Sequence, residues 1–202
     1  MIFKKLGLIN KNQRGFTVIE LIVAVAIAGI IAGGTATTIY QTVSGNARNG
    51  SHMTAVRQVQ TAGYWISRDA QMAQPPIIVV DDGATSEVEV LTLSWVGWEY
   101  DCSGDTCVDS HKVRYTYDAA SETLWRLETI TFAQYDSNGD PVDPPSPQDS
   151  TIFIADHITA ISIPPMVDNK LTVPITASVT SWVGVAIETR IYEITPRPTP
   201  TE

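Results

Sequence analysis

The sequence predicts an α+β fold in which one long N-terminal helix precedes an antiparallel β-sheet packed against it. Three observations predict it. No charged residue occurs between Leu21 and Ala47, and a helix needs roughly 20 apolar residues to cross about 30 Å of hydrocarbon. A three-to-four-residue apolar stripe follows that run. From Ile77 onward the pattern changes to an alternation of period two, the spacing of half-buried strands.

The first element is basic. Lys4, Lys5, Lys11 and Arg14 lie in the first fifteen residues, which contain no acid, and the next basic residue is Arg48. Positive charge before an apolar run directs residues 1–15 to the cytoplasm and the remainder to the far side. A secretory signal peptide shares this start, and Ala24-Val25-Ala26 and Ala26-Ile27-Ala28 imitate its cleavage signal, but both lie inside the apolar run. Glu20 sets this segment apart, because a carboxylate at the head of a membrane span is costly and marks function. Small residues recur four apart at Ala24, Ala28, Ala32 and Ala36, beside Gly29 and Gly33, a spacing that lets helices approach closely in lipid.

Next comes an amphipathic stretch through Met53, Val56, Val59, Gly63, Ile66, Ala70 and Ala73, which Pro75-Pro76 should end near Gln74. Gly45 and Asn49-Gly50 interrupt it, so a soft middle that can kink or unwind is expected. Beyond it, Val88, Val90 and Thr92 alternate with Glu89, Leu91 and Leu93. Val113, Tyr115 and Tyr117 alternate with Lys112, Arg114 and Thr116, and Leu171, Val173, Ile175, Ala177 and Val179 alternate with Thr172, Pro174, Thr176 and Ser178. One helix followed by many strands means an antiparallel sheet laid on the helix stripe. Pro174 implies an edge position for its strand. The proline-rich stretches from Asp136 to Pro147 and from Thr195 to Pro200 read as mobile and outside the core.

The formal charge of −9 conceals an asymmetry: past the first fifteen residues, 9 basic side chains face 22 acidic ones. Such a surface repels phosphate backbones, so no direct nucleic-acid partner is expected. The two cysteines, Cys102 and Cys107, enclose Ser-Gly-Asp-Thr, which suits a disulfide closing a turn in an oxidising compartment; two unpaired thiols remain the alternative. Zinc is not expected, because no second Cys/His pair lies at ligand spacing.

The stretch Lys11-Asn12-Gln13-Arg14-Gly15-Phe16-Thr17-Val18-Ile19-Glu20-Leu21 resembles the type IV prepilin processing site: basic residues, Gly, then Phe-x-x-x-Glu opening a long apolar helix. The resemblance implies cleavage between Gly15 and Phe16 by a prepilin peptidase and N-methylation of Phe16. It also implies assembly with other pilin or pseudopilin subunits through an inner-membrane platform. Glu20 would then meet the new ammonium group of Phe16, on a neighbouring subunit as the family implies or within its own helix as the spacing allows. The implied organisation is a leader at 1–15, a membrane-spanning polymerisation helix at 16–40, an amphipathic helix at 41–74, an extracytoplasmic pilin-like β-rich domain at 75–195 and a tail at 196–202. A looser resemblance links Tyr64-Trp65-Ile66-Ser67-Arg68-Asp69-Ala70-Gln71, Val113 to Tyr117, Leu124-Trp125-Arg126 and Ile154 to Ile158 to the larger minor pilins, including the J-type pseudopilins of type II secretion.

Catalysis has no visible home, since no nucleophile elbow, phosphate loop or zinc-protease motif occurs, and no cofactor is expected. Asp136, Asn138 and Asp140 begin like a calcium loop, but the twelfth position is Pro147 rather than Glu, so a polar turn is the expectation. His52, His111 and His157 are far apart and read as surface or edge residues. Trp65 falls on the helix, while Trp95, Trp98, Trp125 and Trp182 read as sheet packing. The competing function is a membrane-tethered adhesin or binding module displayed by a pilus.

Overall fold

The computed structural model describes residues 15–77, 87–96, 106–136, 141–143 and 146–196. The chain divides into two units at Asn46/Ala47. A single helix, α1 (Val18–Met72), supplies the described body of the first unit and the first element of the second. Gly45, Asn49 and Gly50, where a soft middle was expected, are all helical. The hydroxyls of Ser51 and Thr54 donate to the carbonyls of Ala47 and Gly50, each at 3.0 Å, so polar side chains in this region fold back on their own helix.

In the first unit the side chains from Phe16 to Val43 are exposed. The helix contains a window of mean hydropathy 2.3, long and apolar enough to cross a membrane. A surface so apolar favours lipid or other helices around it, because contact with water costs free energy roughly in proportion to its area.

In the second unit α1 buries Ser51, Ala55, Val59, Ala62, Gly63, Ile66, Asp69 and Ala70. The buried stripe agrees with the expected one at Val59, Gly63, Ile66, Ala70 and Ala73, but Met53 is exposed and Ala55 and Ala62 take the inward positions. Small side chains face the sheets because they allow the backbones to come close. The helix stops at Met72, where the Ala73 N–H still donates to Asp69 O at 3.0 Å.

Nine strands follow among the described residues: β1 (Gln74–Ile77), β2 (Glu87–Val96), β3 (Thr106–Asp118), β4 (Thr123–Tyr135), β5 (Pro141–Val142), β6 (Gln148–Ala155), β7 (Ile158–Ile161), β8 (Leu171–Ser181) and β9 (Gly184–Ile194). They form two antiparallel sheets where one was expected: β1-β2-β3-β4-β5 with β6 also on β4, and β7-β8-β9. The inward faces combine into one core with the α1 stripe, including Leu91, Leu93, Val113, Tyr115, Leu171, Val173 and Ile175.

Several expectations need correction. β8 is the central strand of its sheet, not an edge. Pro174 is tolerated there because its carbonyl accepts Ser162 N–H at 3.3 Å, so its nitrogen faces the same side, just past the end of β7 at Ile161. The Asp136–Pro147 stretch contains β5, whose Val142 and Pro141 pair with Gln134 and Tyr135 of β4, so part of it is strand. In β2 the alternation breaks, because Leu91, Thr92 and Leu93 are all buried beside a register shift between Glu89 and Leu91. Trp182 is no sheet-packing residue: it is 63% exposed in the two-residue turn between β8 and β9. Pro196, assigned by sequence to the tail, is buried.

Candidate processing and assembly site

Gly15, Phe16 and Thr17 precede the first helical residue, Val18. Thr17 is the N-cap and Glu20 the third residue inside the helix. The Glu20 N–H donates to Thr17 Oγ1 at 3.3 Å, while Glu20 Oε2 accepts the Thr17 N–H at 3.0 Å and the Thr17 hydroxyl at 2.9 Å. This is a capping box, in which two backbone donors that the helix leaves unpaired are satisfied reciprocally. The carboxylate is thereby folded back onto the N–H of the Phe16–Thr17 peptide bond, one bond past the Gly15–Phe16 junction. Thr17 escaped the sequence reading, although the Thr-x-x-Glu spacing before an apolar run is its signature.

Phe16 is 87% exposed, so none of the described residues covers its ring. A shallow groove of about 320 Å³ runs beside Glu20, walled by Ile19, Val23, Ala24 and Ile27. Ala24, Ala28, Ala32 and Ala36 are all helical and exposed. A Cβ built on Gly29, Gly33 or Gly34 would touch nothing, so the small-residue stripe is an open surface on this chain. Glu20 is the acidic residue of the first helical turn and stands at the head of this apolar surface.

The second unit gathers a different set of polar groups. Asp69, 2% exposed, accepts Arg126 Nε at 2.6 Å and the Tyr115 hydroxyl at 2.6 Å. Arg126 Nη1 donates to Glu128 Oε2 at 2.9 Å, and Glu128 Oε1 lies 3.0 Å from His111 Nδ1. Arg126 also lies over the Trp65 ring, 5.3 Å from its centroid, and His111 stacks on Trp95 at 5.2 Å. Burial works to raise the Glu128 carboxyl, but hydrogen bonds from Arg126 and His111 outweigh it and hold the group below its ordinary value. Every charge in this network is paired, which makes it a fastening between α1 and the strands. Sequence singled out Asp69, Tyr115 and Arg126 only as members of three separate short motifs.

The histidines do not converge. His52 is exposed on α1, His111 pairs with Glu128, and His157 takes a left-handed φ of 56° in the link between β6 and β7. Among the described residues no group of three or more His, Cys, Asp and Glu is placed to hold a metal. The calcium candidate lies outside the described residues at Asn138 and Asp140, as does the disulfide candidate at Cys102; for Cys107 only the backbone, in β3, is described.

Residues 10–36 match the family described as the prokaryotic N-terminal methylation motif, which is the type IV prepilin signature. No curated protein and no solved structure matches the chain. The helix with its antiparallel sheets is an α+β arrangement consistent with a pilin-like fold.

Proposed function

We propose, from the prepilin signature, that this chain is a structural subunit, of the minor kind, in a type IV pilus or type II secretion pseudopilus. It is cut after Gly15, methylated at Phe16 and assembled through α1. The observation that carries the reading is the Thr17–Glu20 box: it holds a carboxylate at the head of an apolar helix, on the peptide N–H that follows the residue whose release creates a cation.

Cleavage converts the Phe16 peptide nitrogen into an ammonium group, which cannot remain unpaired in hydrocarbon. Glu20 supplies the opposite charge, and the small-residue stripe allows a second helix to come near enough to share it. Pairing between copies then sets the axial register of the bundle. The prepilin peptidase and the inner-membrane assembly platform are the processing partners, and lipid surrounds the 16–40 segment until assembly. The leader stays cytoplasmic and the β-rich domain lies outside, in accord with the basic residues that precede the span. The minor-subunit reading draws on the Tyr64–Gln71, Val113–Tyr117 and Leu124–Arg126 motifs.

Intact mass and N-terminal fragmentation of the protein from its native membranes test this. The expected product begins at Phe16 and carries one methyl group; a mature chain that still begins at Met1 sinks the reading.

A further inference from the structure

We propose that a cleft at the start of the second unit binds the phosphate of an anionic phospholipid headgroup, an inference that rests on the membrane anchoring proposed above. The cleft has a volume of about 460 Å³ and is formed by Arg48, Asn49 and His52 of α1 and by Ser181, Gly184 and Val185 of the β8–β9 hairpin. Its geometry is set locally. Arg48 and His52 are four apart on one helix face, and Ser181 Oγ donates to Gly184 O at 3.0 Å, closing the hairpin. Gly184 has φ of 144°, a conformation in which a side chain would be strained.

The charge of the cleft lining is opposite to the net charge of the chain. No Asp or Glu lines it, although acids outnumber bases 22 to 9 beyond the first fifteen residues. Among the described residues, the ion pairs involve neither Arg48 nor His52. Guanidinium matches a phosphate with two parallel N–H donors, and the amide of Asn49 and the ring N–H of His52 add further ones.

Chain length identifies the source of that phosphate. Arg48 is the first charged residue after Glu20, so in the sequence it is the first cation past the apolar run, which carries Tyr40 near its end. Tyr at the end of an apolar run is an interfacial residue, and a long cationic side chain reaches back toward the headgroups. Val185 in the cleft lining is exposed, and so is Trp182 in the turn of the same hairpin, so the hairpin presents an aliphatic and an aromatic side chain as well as the cleft. That combination favours a lipid surface over a soluble anion.

The test uses the full chain in bilayer discs of equimolar phosphatidylcholine and phosphatidylglycerol, followed by gentle extraction and native mass spectrometry. Phosphatidylglycerol should be retained in preference to phosphatidylcholine, and retention should drop about fivefold or more in the Arg48→Gln/His52→Gln variant. Arg48→Lys, which keeps the charge but loses the two parallel donors, should retain more than the double variant and less than wild type, and excess inorganic phosphate should not displace the lipid. Equal retention by wild type and the double variant overturns the cleft, as does displacement by inorganic phosphate or by polyglutamate, which would indicate a free anion or an acidic protein partner. A chain that fails to enter the discs overturns the anchoring reading instead.

Discussion

Tyr115 on β3 donates its hydroxyl to Asp69 on the last turns of α1 at 2.6 Å, across 46 residues of sequence, in a site from which water is excluded. Arg126 reaches the same carboxylate from β4, so one acid on the helix holds two strands. Removing one member strands the others: Asp69→Ala should cost about 3–5 kcal/mol, because it leaves a buried guanidinium short of its main partner. Tyr115→Phe should cost about 1.5–3 kcal/mol, the range for hydrogen bonds to charged groups. Asp69→Leu/Arg126→Leu should recover part of the loss. Urea unfolding followed by circular dichroism measures all three, and a near-neutral Asp69→Ala would refute the fastening role.

Gly63 predicts an inverted propensity effect. The Tyr192 ring lies directly over this glycine, where a Cβ would collide with it, and the Tyr192 hydroxyl donates to Val59 O at 3.1 Å. Gly63→Ala improves helix propensity by up to about 1 kcal/mol, yet overpacking of about 1–3 kcal/mol should dominate. The variant should melt lower than wild type, and Tyr192→Leu should weaken that penalty. A stabilised Gly63→Ala protein would show that the ring is not held there.

Stability should fall on both sides of neutrality. Burial, and then the charge of Asp69, push the Tyr115 phenol far above its ordinary 10.0, and burial raises Tyr117 and Tyr192 as well. The fold therefore favours protonated phenols: their contribution is complete below about pH 10 and is lost as pH rises and the unfolded chain ionises. Tyr115→Phe should flatten that alkaline slope. Glu128 is held below its ordinary 4.5, so its contribution is present above that pH and is lost as pH falls through the lowered value. Denaturation midpoints across pH, with Glu128→Gln as the acid-side control, provide the measurement.

Glu20 has two separable duties. Glutamine can complete a capping box but carries no charge. If charge pairing with the Phe16 ammonium directs assembly, Glu20→Gln and Glu20→Ala should both be cleaved yet fail to enter filaments. Thr17→Val, which loses the hydroxyl of the box but keeps the charge, should still enter them. Filament yield by immunoblot of sheared fractions distinguishes these outcomes; normal incorporation of Glu20→Gln would assign the residue to capping alone.

The elements that were legible beforehand are those written in local pattern. The apolar run, the helix end ahead of Pro75-Pro76 and the inward set Leu171, Val173, Ile175 and Ala177 all follow from neighbours a few residues apart. The Thr17–Glu20 box is equally local, its signature being the Thr-x-x-Glu spacing just before the apolar run.

What only tertiary structure decided is how distant segments meet. Strand order made β8 central, and a Pro174 nitrogen turned toward the end of β7 made that placement affordable. Two sheets instead of one, the rotation of the helix stripe onto Ala55 and Ala62, and the convergence of Asp69, Tyr115 and Arg126 depend on burial and pairing between residues tens of positions apart. Periodicity specifies which face of an element is apolar, but not which partner covers it, because hydrophobic burial has no direction. The directional contacts that choose among partners, a phenol and a guanidinium on one carboxylate, come into being only when the chain has closed around them.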